Sequence, residues 1–106
     1  MVVIVETHVF TARILQLISD EQYRFLQAEL VRRPDVGPVI RGTGGLRKMR
    51  WSAGGRGKRG GIRVIYYWHA GTAQLLMLLA YPKNEQDDLT PRQRAALRKV
   101  IESEYP

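Results

Sequence analysis

The chain has 106 residues, 44% of them apolar, with 17 Lys and Arg against 10 Asp and Glu, a formal charge of +7 and no cysteine. That length supports one domain, residues 1–106, with one modest core. The missing cysteines exclude disulfides, thiolate chemistry and cysteine-ligated zinc, and no apolar run approaches the length of a membrane span. Met1–Val5 is too short for a signal-peptide core and Glu6 follows at once, so the expectation is a soluble cytoplasmic protein. The excess of cations points to nucleic acid or an acidic protein as partner. No basic amphipathic helix argues for a membrane.

Val2–Val5 reads as a first strand, short and β-branched. Phe10, Ile14, Leu15 and Ile18 recur at helical spacing and predict a first helix over Phe10–Ile18. Ser19 is placed as an N-cap, with Gln22 completing a capping box, and predicts a second helix from Asp20 to about Arg33. Acidic Asp20 and Glu21 at its start and basic Arg32 and Arg33 at its end suit the helix dipole, and Pro34 stops it. Its buried stripe is Tyr23, Leu26 and Leu30, joined by Phe25. Two helices in succession suggest a helical hairpin.

A Gly- and Pro-rich connector over Asp35–Gly45 leads to a strand at Leu46–Trp51. Its alternation puts Lys48 and Arg50 on one face, and Arg47, Met49 and Trp51 on the other. After a glycine-rich loop, Ser52–Gly61, comes a strand over Ile62–Trp68. There Ile62, Val64, Tyr66 and Trp68 share one face, and Arg63, Ile65 and Tyr67 share the opposite one. Ala70–Gly71 is a turn. Gln74–Tyr81 is apolar on both faces, so it should be a central, covered strand. Thr90, Pro91 and Gln93 supply the N-cap, first-turn proline and capping-box partner of a last helix reaching about Ser103, with Leu97, Val100 and Ile101 inward. The fold class is α+β: an N-terminal strand, a two-helix hairpin, an antiparallel meander of three strands, and a C-terminal helix.

Between Asp35 and Glu85 there is no acidic residue, while nine cations fall there: Arg41, Arg47, Lys48, Arg50, Arg56, Lys58, Arg59, Arg63 and Lys83. Such a one-sign field raises the energy of the compact state and makes sense when the partner is a polyanion. Glu85, Asp87 and Asp88 are the acids that follow it. Read alone, they are favourable charge near the start of the last helix. His8 and His69 lie far apart and have no metal-like neighbours, so no zinc site and no cofactor is expected.

Gly42-Thr-Gly-Gly-Leu-Arg-Lys-Met-Arg50, Gly57-Lys-Arg-Gly-Gly-Ile-Arg-Val-Ile-Tyr-Tyr67 and Tyr81-Pro-Lys-Asn-Glu-Gln-Asp-Asp-Leu89 resemble the HigB branch of the RelE-type toxins. The likeness runs from Val2 to about Ile101 and is most specific in the central block. It implies a RelE-like fold and an endoribonuclease that cuts mRNA on the ribosome. It also implies a cognate antitoxin, a HigA-like helix-turn-helix protein, through which alone operator DNA is contacted. The family's two cations on the strand before the glycine loop fall on Lys48 and Arg50. Its arginine on the next strand falls on Arg63, and its post-strand lysine on Lys83. Two positions depart from the relatives: Asn84 stands where many carry a catalytic arginine, and Thr90 near the place of their C-terminal tyrosine.

The chemistry agrees with these residue types. Metal-free ribonucleases attack a phosphate with the neighbouring 2′-hydroxyl, and they need a base, an acid and cations for the developing charge. Arg63 on a strand suits the last role, because a guanidinium grips phosphate oxygens with two nitrogens. Lys48 acts as a base only if its ammonium is destabilised, for which Arg50 is a like-charged neighbour; otherwise it supplies RNA affinity. Lys83 positions phosphate. Arg47, Arg56, Lys58, Arg59 and Asn84 are assigned to RNA or ribosome contact, and Tyr66 to base stacking alongside Trp51, Tyr67 and Trp68. Tyr66, Tyr67 and Tyr81 all remain open as substitutes for the missing tyrosine. Two other classes remain open: a non-catalytic nucleic-acid-binding module and a ParE-type toxin acting on gyrase.

Overall fold

The most apolar stretch, Gln74–Pro82, lies inside the sheet with a strand hydrogen-bonded on each side. A segment apolar on both faces needs that position. The computed structural model describes residues 1–52 and 61–106. In chain order they form β1 (Val3–Glu6), α1 (His8–Leu17), α2 (Asp20–Arg32), β2 (Leu46–Ser52), β3 (Gly61–His69), β4 (Gln74–Pro82) and α3 (Pro91–Glu104). This is a small α+β domain. The sheet order is β1-β4-β3-β2, with β2, β3 and β4 antiparallel and β1 parallel to β4. The sheet is therefore mixed, a feature that local pattern does not carry.

The helices pack in two layers, one on each face of the sheet. On the first face α1 and α2 bury Phe10, Ile14, Tyr23, Leu26 and Leu30 against Met49, Ile62, Val64, Tyr66, Leu75 and Met77. On the second, α3 covers Leu46, Ile65, Leu76, Leu78, Tyr81 and Leu89, mainly through Ile101. The alternation expected in β2 and β3 is the one observed. Two expected core residues are not in the core: Leu15 and Phe25 are both 56% exposed. Each lies about 100° around its helix from a buried neighbour, Ile14 or Leu26, and so falls off the inward stripe.

Helix ends follow their caps. Ser19 accepts from the Gln22 amide at 3.1 Å, and Thr90 forms a complete capping box with Gln93. α1 begins at His8 rather than at Phe10, because Thr7 caps it by accepting from the Phe10 amide. The same Thr7 hydroxyl donates to the Leu78 carbonyl at 3.2 Å. In the β3–β4 register Ile65 faces Leu79 while Tyr66 faces Met77, so Leu78 is the extra residue of a β-bulge. Glu6 ties the first layer together, accepting from the Tyr23 hydroxyl and, at 2.6 Å, from Thr11. Among the described residues no helix is long and apolar enough to cross a membrane.

Candidate anion-binding face

Strand register builds the site. Arg50 on β2 faces Arg63 on β3, and Arg63 faces Tyr81 on β4. Directly opposed residues project from the same face, so the three side chains form one row across the sheet. Tyr81 belongs to the core cluster under α3, which places the row on that face. Lys48, two residues before Arg50, projects the same way one row along. Lys83 extends the ladder past β4, its amide donating to the Gly61 carbonyl at 3.0 Å, and its side chain is exposed. Thus Lys48, Arg50 and Arg63 come together, with Lys83 and Asn84 just beyond the end of β4.

Burial separates these cations. Arg50 is exposed. Arg63 is 4% exposed, an unusual state for an arginine without a close carboxylate. Its Nη2 lies 3.5 Å from Asp87 Oδ1, too long for a strong bond. Its Nε is buried and, among the described residues, has no hydrogen-bond partner. The Tyr81 hydroxyl beside it is also buried without a partner, on a side chain only 2% exposed. Burial pushes the Tyr81 phenol above its ordinary value, as do the nearby Asp88 and Asp87 charges, while Arg63 pulls it back. It therefore stays protonated at neutral pH.

Two of the acids after β4, Asp87 and Asp88, reach back over this face. Asp88 accepts from the Lys48 ammonium, Asp87 approaches Arg63, and Glu85 pairs with Arg13 of α1. The hydrogen bond from Lys48 holds the Asp88 carboxyl below the ordinary carboxylate range. The backbone between them is braced. Gln86 Nε2 donates to the Asp88 carbonyl and to Gln93 Oε1, both at 2.9 Å, and Leu89 is buried. Read from sequence, these acids serve the helix dipole. Folded, each of the three goes to a different cation. Among the described residues, no group of three or more acidic or histidine side chains is gathered to hold a metal ion.

One candidate, Tyr66, is corrected, and another, Arg47, lies apart from this row. Tyr66 is fully buried on the opposite face, where its hydroxyl donates to the Pro34 carbonyl at 2.7 Å and accepts from the Gly37 amide at 3.0 Å. It cannot stack a base; it anchors the connector. Gly37 is required there, since a Cβ would stand 2.9 Å from the Lys48 carbonyl oxygen. Arg47 stands on the same face as Tyr66, as its place in the strand alternation predicts. It projects away from Lys48, and its Nη1 donates to the Gly37 carbonyl at 2.8 Å and the Asp35 carbonyl at 3.2 Å. Arg56, Lys58 and Arg59 fall in 53–60, outside the described residues. His69 stacks on Tyr105 at 4.5 Å, roughly 20 Å along β3 from Arg63 at about 3.3 Å per residue.

The geometry suits a multivalent oxyanion. Arg63 offers a dehydrated guanidinium; the exposed Arg50 and the half-buried Lys48 add charge; Tyr81 adds a buried hydroxyl donor beneath them. No protein-family model matches the chain. Sequence reasoning left Tyr81 as one of three tyrosines and did not foresee the acid contacts. Both depend on register across strands far apart in sequence.

Proposed function

We propose that this chain is the toxin of a toxin–antitoxin pair, a ribosome-dependent endoribonuclease of the RelE/HigB type that cleaves mRNA without a metal. The observation that carries the reading is the row Arg50–Arg63–Tyr81, with Arg63 buried between a second guanidinium and a phenol. A desolvated arginine stabilises charge on a phosphate far better than one in water. The RelE-like arrangement of strands and helices belongs to the same proposal, as do the cytoplasmic setting, the helix-turn-helix antitoxin and the ribosome.

Roles follow from placement. Arg63 and Arg50 hold the non-bridging oxygens as the 2′-oxygen attacks, its proton passing to water, and the bond from phosphorus to the 5′-oxygen breaks. Lys48, whose ammonium already meets a carboxylate, is a phosphate ligand rather than a base, and Lys83 positions the strand. Of the three tyrosines open in the sequence, Tyr81 adjoins Arg63, whereas Tyr66 is spent on the connector. Tyr67 packs on Tyr105 with ring centres 5.3 Å apart. Tyr81 is therefore the group assigned to protonate the leaving 5′-oxygen.

Primer extension on transcripts from induced cells tests the reading. Discrete cuts within translated regions are expected, absent when Arg63 is replaced. Intact transcripts with altered DNA supercoiling would favour the gyrase-directed alternative, and RNA binding without cuts would favour a non-catalytic module.

A further inference from the structure

The acids that follow β4 do not simply lie near the basic face. Two consecutive carboxylates, Asp87 and Asp88, meet two of its cations, Arg63 and Lys48, which sit on neighbouring strands in adjacent rows. Consecutive carboxylates on a common backbone present two negative charges side by side, as neighbouring phosphate groups do. Below them are a buried guanidinium nitrogen and a buried phenol with no partner among the described residues. Native interiors seldom leave such groups unmatched. A site that binds its own chain weakly, and leaves donors unmet beneath, is built to take something better.

We infer that Asp87 and Asp88 form an internal latch that occupies the phosphate site and is displaced by substrate. The inference rests on the phosphate-binding reading of this face. The latch opens by side-chain rotation: Gln86, Leu89 and the α3 capping box brace the backbone, whereas the Asp87 and Asp88 side chains are 76% and 62% exposed. The Arg63–Asp87 contact is long and both acids face solvent, so the pairs are weak, and an incoming phosphate, with more charge and more acceptors, displaces them. The consequence is selectivity. A lone weak anion competes poorly with the latch, while a polyphosphate chain engaging Arg63, Lys48 and Arg50 together wins.

Pyrophosphate is a suitable probe, because it carries two adjacent anionic groups and needs no RNA chemistry. Binding is followed by NMR at the Arg63 and Lys48 side chains in three proteins: the unaltered chain, Asp87→Asn/Asp88→Asn, and Glu21→Gln/Glu104→Gln. The last removes the same charge from exposed positions elsewhere. The latch predicts affinity about three- to tenfold higher in the first variant, the range for loss of two weak ion pairs, with the control near the unaltered chain. Equal affinity in all three, equal tightening in both variants, or no pyrophosphate binding at all would overturn it. Tightening specific to the aspartates, in a protein that cuts no RNA, would keep the latch and defeat the nuclease. Cleavage with no such tightening would do the reverse.

Discussion

The two faces of the sheet each bury a tyrosine, and they treat it differently. Under α1 and α2, the Tyr66 hydroxyl both donates and accepts, closing the connector onto the core. Under α3, the Tyr81 hydroxyl does neither among the described residues, and the guanidinium next to it has a nitrogen with no partner among them. The first face is closed at its centre, where Phe10, Ile14, Leu26 and Leu30 are at most 1% exposed, while on the edge strand β2 the Trp51 Nε1 is buried without a partner among the described residues. The second is finished only at one end, where Tyr105 donates to Gln74 and packs on Tyr67 and His69. At the other end it keeps polar capacity in reserve. One face ties its buried tyrosine into the fold, and the other leaves its tyrosine and arginine unmatched among the described residues.

The sharpest way to break that contrast is Arg63→Met. Methionine fills similar space without the charge. If Arg63 belongs to the site, RNA cleavage falls about 10²–10³-fold, or roughly 2.7–4 kcal/mol of transition-state stabilisation. Thermal stability stays level or rises, because a poorly paired buried charge has become apolar. Cleavage timed on programmed ribosomes and a melting curve on the same preparation give both numbers. A large loss of stability with unimpaired cleavage would make Arg63 structural.

Next in size is Tyr66→Phe. Removing that hydroxyl strands the Gly37 amide and the Pro34 carbonyl, at a cost of about 1–3 kcal/mol. Urea denaturation should show the midpoint shift. A neutral result would mean that water serves the two groups as well as the phenol does.

How much of this was legible in the chain differs between the faces. The first was readable from local pattern. Ser19 marks the start of α2 by its own hydroxyl, and the alternation through Lys48, Met49 and Arg50 sorts β2 correctly. Where pattern failed there, the error was small: Thr7 is a capping residue too, but without a capping-box partner it does not announce itself. The site was legible as residue types and not as neighbours. Nothing local says that Arg63 faces Tyr81, because that pairing is fixed by strand register and by a bulge at Leu78 further along. Nor could sequence tell Tyr66 from Tyr81, since both are aromatics in apolar strands. The contacts of Asp87 and Asp88 are not legible because these acids adjoin α3 in sequence, where a dipole explanation suffices, while their partners are some 24 and 40 residues away.

A smaller effect tests the latch through pH. The Asp88 carboxyl is held below its ordinary value of 3.8 by the Lys48 hydrogen bond. A depressed acid contributes stability that is present above its unfolded value and lost as pH falls through the folded one. The Lys48 contact should therefore persist through neutral and mildly acidic solution and disappear only below 3.8. The carboxyl carbon shift of Asp88, followed against pH, reports this directly. Titration at or above the ordinary value would mean that the pair does not form in solution.

The smallest expected change in stability is the most telling. Tyr81→Phe deletes one oxygen from a buried ring and nothing else. Where a hydroxyl is well bonded, as at Tyr66, its loss strands partners; at Tyr81 there is none to strand among the described residues. The ring keeps its packing against the α3 layer, so the apolar contribution is unchanged. Stability should move by no more than about 0.5 kcal/mol, and upward if at all, because an unmatched polar group has left the interior. Cleavage should fall all the same, since the proton for the leaving oxygen has gone with it. A substrate whose 5′-bridging oxygen is replaced by sulfur needs no such proton, and it should be cut by the variant nearly as fast as by the unaltered chain. If Tyr81→Phe costs as much stability as Tyr66→Phe, the hydroxyl is bonded after all and the contrast between the faces fails. If stability holds and cleavage of the ordinary substrate is undiminished, Tyr81 is packing and the proton comes from elsewhere.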